Sequence, residues 1–254
     1  MSQPLLGQPH ADGRLADPVI TMRAMKIILI PGLWLTADSW AEVASRLSAA
    51  GHTVQPLTLP GVGAEASAAA DIGMADWVAA VVAKIDETSE PVVLVGHSGG
   101  GNVAWGAADA RPEQVARVIF VDTVPPPPGS GISEFPITAG VIEFPGWDFF
   151  PSEDTFDLDE ATREVTSAQT QSVPPQLPTD PIELSDQRRF EVPVTLLMGS
   201  LDAAEVRAQI SEWGAYGEEF ASLKDVQVER IGSAHWPQFS QPARLADLII
   251  AAID

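Results

Sequence analysis

From residue 26 onward the chain alternates short, dense apolar runs with longer stretches whose apolar residues recur every three or four positions. The first kind, rich in Val and Ile, predicts strands at 26–30, 53–57, 92–96, 115–121, 192–198 and 226–231. The second predicts helices at 38–49, 75–88, 102–110 and 242–252, the first of them opened by Asp38 or Ser39 as cap. An alternation of this kind belongs to the α/β class: a mostly parallel central sheet flanked by helices.

Between 125 and 190 the pattern lapses. Pro125-Pro126-Pro127-Pro128-Gly129 breaks any regular element, and Phe135, Phe144, Trp147, Phe149, Phe150 and Phe156 recur among prolines and acids. So long a patternless stretch inside a domain is a lid or is disordered, and the density of aromatics argues against disorder. The expectation is a small cap, inserted after the strand ending near Asp122, with helices near 159–170 and 182–190. It would wall an apolar pocket and exclude water. The core is then 25–124 together with 191–254. Residues 1–24, with Pro4, Pro9, Gly13, Pro18 and no sustained apolar stretch, read as a weakly ordered extension, and Met22 or Met25 as alternative starts. The extension lacks the basic start and apolar core of a secretory signal, and no later run reaches membrane-spanning length, so a cytoplasmic protein is expected.

Composition narrows the partners. In 254 residues, 14 Lys and Arg face 35 Asp and Glu, a net charge of −21, and such a surface repels nucleic acid and anionic lipid. The absence of cysteine excludes disulfides, thiolate metal sites and a cysteine nucleophile together.

One run bears the chemistry. Val92-Val93-Leu94-Val95 reads as a buried strand, and Gly96-His97-Ser98-Gly99-Gly100 closes it where a helix begins. Gly-x-Ser-x-Gly between strand and helix forces the serine into a strained turn that lifts its hydroxyl above the sheet, beside the free N–H groups of the helix start. Ser98 is therefore the candidate nucleophile, and a hydroxyl needs a base to take its proton. Of four histidines, His10 lies in the extension, His52 reads as a solvated turn residue, and His97 points away from Ser98 to pack or hydrogen-bond below the turn. His235, in the loop between the last strand and the last helix, stands where parallel sheets gather their chemistry, and is the candidate base. The acid that orients it follows a strand too: Asp202 after 192–198 is preferred, Asp122 after 115–121 is the alternative, and Glu205 is remote. Either aspartate preserves the chain order serine, acid, histidine.

With these residues in place, the chain from 26 to 254 apart from the cap resembles the α/β-hydrolase superfamily. Ile30-Pro31-Gly32-Leu33-Trp34, Asp38-Ser39-Trp40, Gly51-His52-Thr53-Val54 and Leu59-Pro60-Gly61 resemble small-capped esterases, the methylesterase and hydroxynitrile-lyase branch with its bacterial relatives. The resemblance implies an α/β-hydrolase fold and an oxyanion hole made by the backbone N–H groups of Gly99 and Leu33, with that of Trp34 as the alternative to Leu33. It also implies a serine esterase acting on a small, largely apolar ester or lactone through an acyl-enzyme, with no metal or organic cofactor. Trp34, Phe144, Trp147 and Phe150 are the expected substrate contacts. Two alternatives stand beside it: a C–C bond hydrolase or other biosynthetic enzyme of this fold, and a non-catalytic ligand-binding protein. A hydroxynitrile lyase is disfavoured because Trp236-Pro237-Gln238-Phe239 after His235 contains no lysine.

Overall fold

A computed structural model describes residues 24–253, so the extension expected over 1–24, His10 included, falls almost wholly outside the described residues. Six strands form one sheet: β1 (Lys26–Ile30), β2 (Thr53–Pro56), β3 (Val92–His97), β4 (Val115–Val121), β5 (Val194–Met198) and β6 (Val226–Arg230). Their order is β2-β1-β3-β4-β5-β6, and every pair is parallel. Parallel strands need crossovers, and the crossover helices cover both faces, which is why the inner strands carry runs of consecutive apolar residues, such as 27–30, 92–95 and 118–121, rather than an alternation.

Successive side chains on a strand divide between the two faces. Ile27, Leu29, Val93, Val95, Ile119 and Val121 pack with Val43 and Leu47 of α1 (Ala41–Ala49) and with Leu245 and Ile249 of α7 (Pro242–Ile253). Ile28, Ile30, Leu94, Val118, Phe120 and Leu196 face the opposite layer. That layer comprises α2 (Met74–Ile85), α3 (Gly99–Ala110), α5 (Ala203–Ser211) and α6 (Ala215–Ser222). Each fully buried Leu or Ile contributes about 1.5–3 kcal/mol by leaving water. A 3-10 turn (Ala37–Trp40) precedes α1 and is capped by the Thr36 hydroxyl, not by Asp38 or Ser39.

The chain runs from β1 outward to β2, then returns to place β3 on the other side of β1. This reversal splays the loops after β1 and β3, and the crevice between them at the carboxyl ends of the strands is where such sheets bind ligands.

The segment between β4 and β5 contains α4 (Glu160–Ser167), whose N-cap Asp159 accepts the Thr162 N–H. The second helix expected there, near 182–190, does not form. Asp109 of α3 draws the backbone N–H groups of Ser185 and Asp186 onto its carboxylate at 2.9–3.1 Å, and this competes with helical pairing. Only a 3-10 turn (Gln187–Glu191) follows, with Arg189 buried between Asp109 at 3.3 Å and Glu219 at 2.8 Å. Glu219 also accepts the indole N–H of Trp105, so this network fastens the end of the insertion to α3 and α6.

Candidate active site

Ser98 is the single residue between the end of β3 and the first residue of α3. It is held at φ 51°, ψ −126°, a conformation that costs about 1–3 kcal/mol for a residue with a side chain. Its neighbours make the turn possible by having no Cβ. One on Gly96 would lie 2.5 Å from the Gly100 carbonyl oxygen, and one on Gly100 2.5 Å from that of Pro31. The Ser98 N–H donates to Val121 O at 3.1 Å, which ties the elbow to the neighbouring strand.

The loop after β1 comes against this elbow. A Cβ on Gly32 would meet His97 Nδ1 at 2.8 Å and Ser98 Cβ at 3.1 Å. Beyond Gly32 the chain turns through Leu33 and Trp34, Trp34 at φ 64°, and the turn closes with the Leu35 N–H on Gly32 O. Neither the Leu33 N–H nor the Gly99 N–H, the first of α3, donates within the described residues. Both residues line the pocket that holds Ser98.

His235 and Asp122 meet over the same pocket. Nδ1 of His235 lies 2.6 Å from Oδ2 of Asp122, while Oδ1 of Asp122 accepts the Gly199 N–H at 2.7 Å. Burial pushes the Asp122 carboxyl up, but the hydrogen bond and charge of His235 and the Gly199 N–H outweigh it and hold it below the usual carboxylate range. The carboxylate is thus ionised at neutral pH and can only accept, so Nδ1 bears the imidazole proton and Nε2 is left free to accept one. Asp122, like Ser98 and Trp34, has positive φ (48°), so strained residues cluster around this pocket.

The expectation that Asp202 orients the base is corrected. Asp202 is the N-cap of α5: its carboxylate accepts the N–H groups of Ala204 and Glu205, and Glu205 returns a bond to the Asp202 N–H. Asp202-x-x-Glu205 is a capping-box pattern, a signal present in the sequence that argues for a structural role. Asp122 is where it is because β4 neighbours β3, with His97 opposite Val121; the next residue on each strand is then Ser98 and Asp122.

His97 lies below the turn, as expected, and is almost wholly buried. Its Nε2 is 2.8 Å from the backbone oxygen of His235, and its Nδ1 is 3.2 Å from the Gln238 amide nitrogen. A carbonyl accepts only, so Nε2 donates and Nδ1 accepts. Burial, with His235 nearby, pushes the pKa of His97 down to about 3 and keeps the ring neutral. The His235 loop is held from the other side by the insertion: the His235 N–H donates to Asp154 O at 3.1 Å and the Ala234 N–H to Asp157 Oδ2 at 2.9 Å. His52 is buried rather than solvated, with Nδ1 accepting the Met25 N–H.

The pocket measures about 270 Å³. Of the expected substrate contacts, Trp34 and Phe150 line it, but Phe144 and Trp147 do not. Phe144 packs edge-on against Trp34 (5.7 Å) and Trp147 against Trp236 (4.9 Å), so both support the lining from behind. Sequence reasoning missed Ile132, Phe135, Asp154, Tyr216 and Trp236, which do line it. Phe135 belonged to the aromatic series of the insertion, and Trp236 adjoins the candidate base His235, so these two had a signal; the others had none. Among the described residues no group of three His, Cys, Asp or Glu side chains is placed to hold a metal ion. Nor is any helix there long and apolar enough to cross a membrane.

A family model described as "Alpha/beta hydrolase family" matches residues 27–248. Methylesterase 7 of Arabidopsis thaliana is 32% identical over 100 residues, 38% of each chain. A carbendazim hydrolyzing esterase of Nocardioides sp. is 30% identical over 107 residues, 41% of this chain and 44% of that one. The matched stretch thus spans less than half of these relatives' own length. Among solved structures, an extracellular alpha/beta-hydrolase from a Paenibacillus species superposes with a TM-score of 0.70 at 22% identity, over 90% of this chain and 98% of that one.

Proposed function

Since the chain belongs to the alpha/beta hydrolase family, we propose that it is a serine hydrolase that cleaves the carboxylic ester or lactone of a small, largely apolar molecule. The observation that carries this reading is the pairing of His235 with an ionised Asp122 over a pocket that also contains the strained Ser98. The esterase and methylesterase activities in the names of its relatives are of the same class.

In the proposed reaction, Nε2 of His235 takes the Ser98 proton as Oγ attacks the substrate carbonyl carbon. The N–H groups of Gly99 and Leu33 receive the tetrahedral oxyanion. Neither has a partner to give up within the described residues, so no protein hydrogen bond is broken when charge develops. Loss of one such donor costs roughly 3–4 kcal/mol in the transition state. The imidazolium is stabilised by Asp122, then gives its Nε2 proton to the departing alkoxide oxygen, leaving an acyl ester on Ser98. Water repeats the sequence: His235 takes its proton, its oxygen attacks the acyl carbon, and Ser98 Oγ departs with the proton from His235. The insertion at 125–190 acts as the cap, with Ile132, Phe135 and Phe150 excluding water from the acyl group.

A fluorophosphonate probe tests the nucleophile. Wild type should be labelled and Ser98→Ala should not; equal labelling of both would overturn the assignment.

A further inference from the structure

The lining of the pocket contains two carboxylates and no lysine or arginine. Asp122 is committed on both oxygens, to His235 and to Gly199. Asp154 is not: its carbonyl oxygen takes the His235 N–H, whereas its side chain accepts no hydrogen bond and pairs with no cation among the described residues. It stands on a single helical turn of the insertion (Ser152–Thr155), half-buried, where burial raises its pKa against the opposing charge of His235 while Asp122 and Glu153 raise it further. A carboxylate so placed has neither a hydrogen-bond donor nor a cation within pairing distance among the described residues.

Four aromatic rings share that lining. Trp34 lies 4.8 Å from Phe135 and 6.0 Å from Phe150, and Phe150 lies 4.8 Å from Trp236, so four rings run contiguously along the pocket that Asp154 also lines. Aromatic faces attract a soft cation, and a carboxylate beside them adds charge without demanding that an alkylated nitrogen donate hydrogen bonds. An anionic substrate would meet the opposite: two carboxylates, no lysine or arginine in the pocket lining, and a chain of net charge −21.

We propose that the pocket selects an ester bearing an alkylammonium group near the scissile carbonyl, the cation seated between Asp154 and the rings of Trp34, Phe135, Phe150 and Trp236. This deepens the esterase reading and rests on it. Asp154 is here a specificity residue; the bond-making steps are unchanged.

The test compares two isosteric esters, butyrylcholine and 3,3-dimethylbutyl butyrate, which differ in charge and hardly in shape. In wild type at low ionic strength kcat/KM should favour the cationic ester by about tenfold or more, and the advantage should shrink as salt rises. Asp154→Asn should lower the ratio severalfold, the remaining preference being that of the rings. A wild-type ratio near one, or a ratio that Asp154→Asn leaves unchanged, would overturn the proposal; the latter would mean that Asp154 acts on His235 for all substrates alike. Calorimetry with Ser98→Ala separates this from failure of the esterase reading, since choline should bind more tightly than 3,3-dimethylbutan-1-ol without any turnover. Choline binding that depends on Asp154 in a protein that hydrolyses neither ester would overturn the esterase reading alone, whereas equal weak binding of both alcohols would overturn the cation site.

Discussion

Asp122→Asn tests the assignment of the acid through hydrogen-bond polarity. The amide that replaces the carboxylate has one oxygen and one NH2, and the Gly199 N–H at 2.7 Å requires the oxygen on its own side. The NH2 then faces His235 Nδ1 across the 2.6 Å contact and donates to it, so the ring must carry its proton on Nε2. A base already protonated on Nε2 cannot take the Ser98 proton. The expected loss is about 10⁴-fold in kcat, equivalent to about 5 kcal/mol of transition-state stabilisation. Steady-state hydrolysis of an activated aryl ester measures it, with thermal unfolding to show that the variant remains folded. Asp202→Asn is the matched control. Asparagine caps a helix about as well as aspartate, so kcat should stay within about twofold of wild type. Equal losses in the two variants, or an Asp122→Asn enzyme within tenfold of wild type, would refute the reasoning.

Other sites answer to simpler measurements. Glu219→Ala would leave Arg189 buried without its 2.8 Å partner, at a cost of about 3–5 kcal/mol seen as a melting temperature lowered by roughly 10 °C; an unchanged melting temperature would mean that the network is energetically idle. His97 is kept neutral with a folded pKa near 3 against an ordinary 6.5, so the unfolded chain binds the extra proton and stability falls as pH drops from 6.5 toward 3. Its slope is about 1.4 kcal/mol per pH unit at the steepest, and denaturant titrations at several pH values should find that part of the slope missing from His97→Asn. Asp157→Ala would strip the acceptor from the Ala234 N–H beside the base, costing about 1–3 kcal/mol of stability and lowering kcat more than it raises KM. A variant with altered KM alone would show that the cap does not position His235.

The readable features of the chain were those in which one local pattern has one physical meaning. Strands covered on both faces carry continuous apolar runs, and β1, β3 and β4 stand out for that reason. Gly96 is dictated by the backbone of Gly100 and Gly101 within the same turn, so the elbow and its candidate nucleophile are visible together, whereas the need for glycine at 100 comes from Ile30 and Pro31, where β1 ends. His235 stands out as a candidate base by its place after the last strand. The acid does not, because two aspartates each follow a strand. Only the pairing of β4 with β3 sets Asp122 beside the elbow, while the capping box at Asp202 is satisfied within its own helix turn. The aromatic series of the insertion was visible as a series, but its division into the lining rings Phe135 and Phe150 and the supporting pair Phe144 and Trp147 was not. That division depends on which side of an irregular chain faces the sheet, and no periodicity encodes it.

The sequence by itself therefore determined the α/β layering and the Gly-x-Ser-x-Gly turn, and pointed to His235 as the candidate base, since each is marked by a pattern of neighbours along the chain. The tertiary structure alone decided which carboxylate meets the base and that Asp154 faces the pocket, because both depend on contacts between segments far apart in sequence: strand order for the first, the docking of the insertion on the sheet for the second.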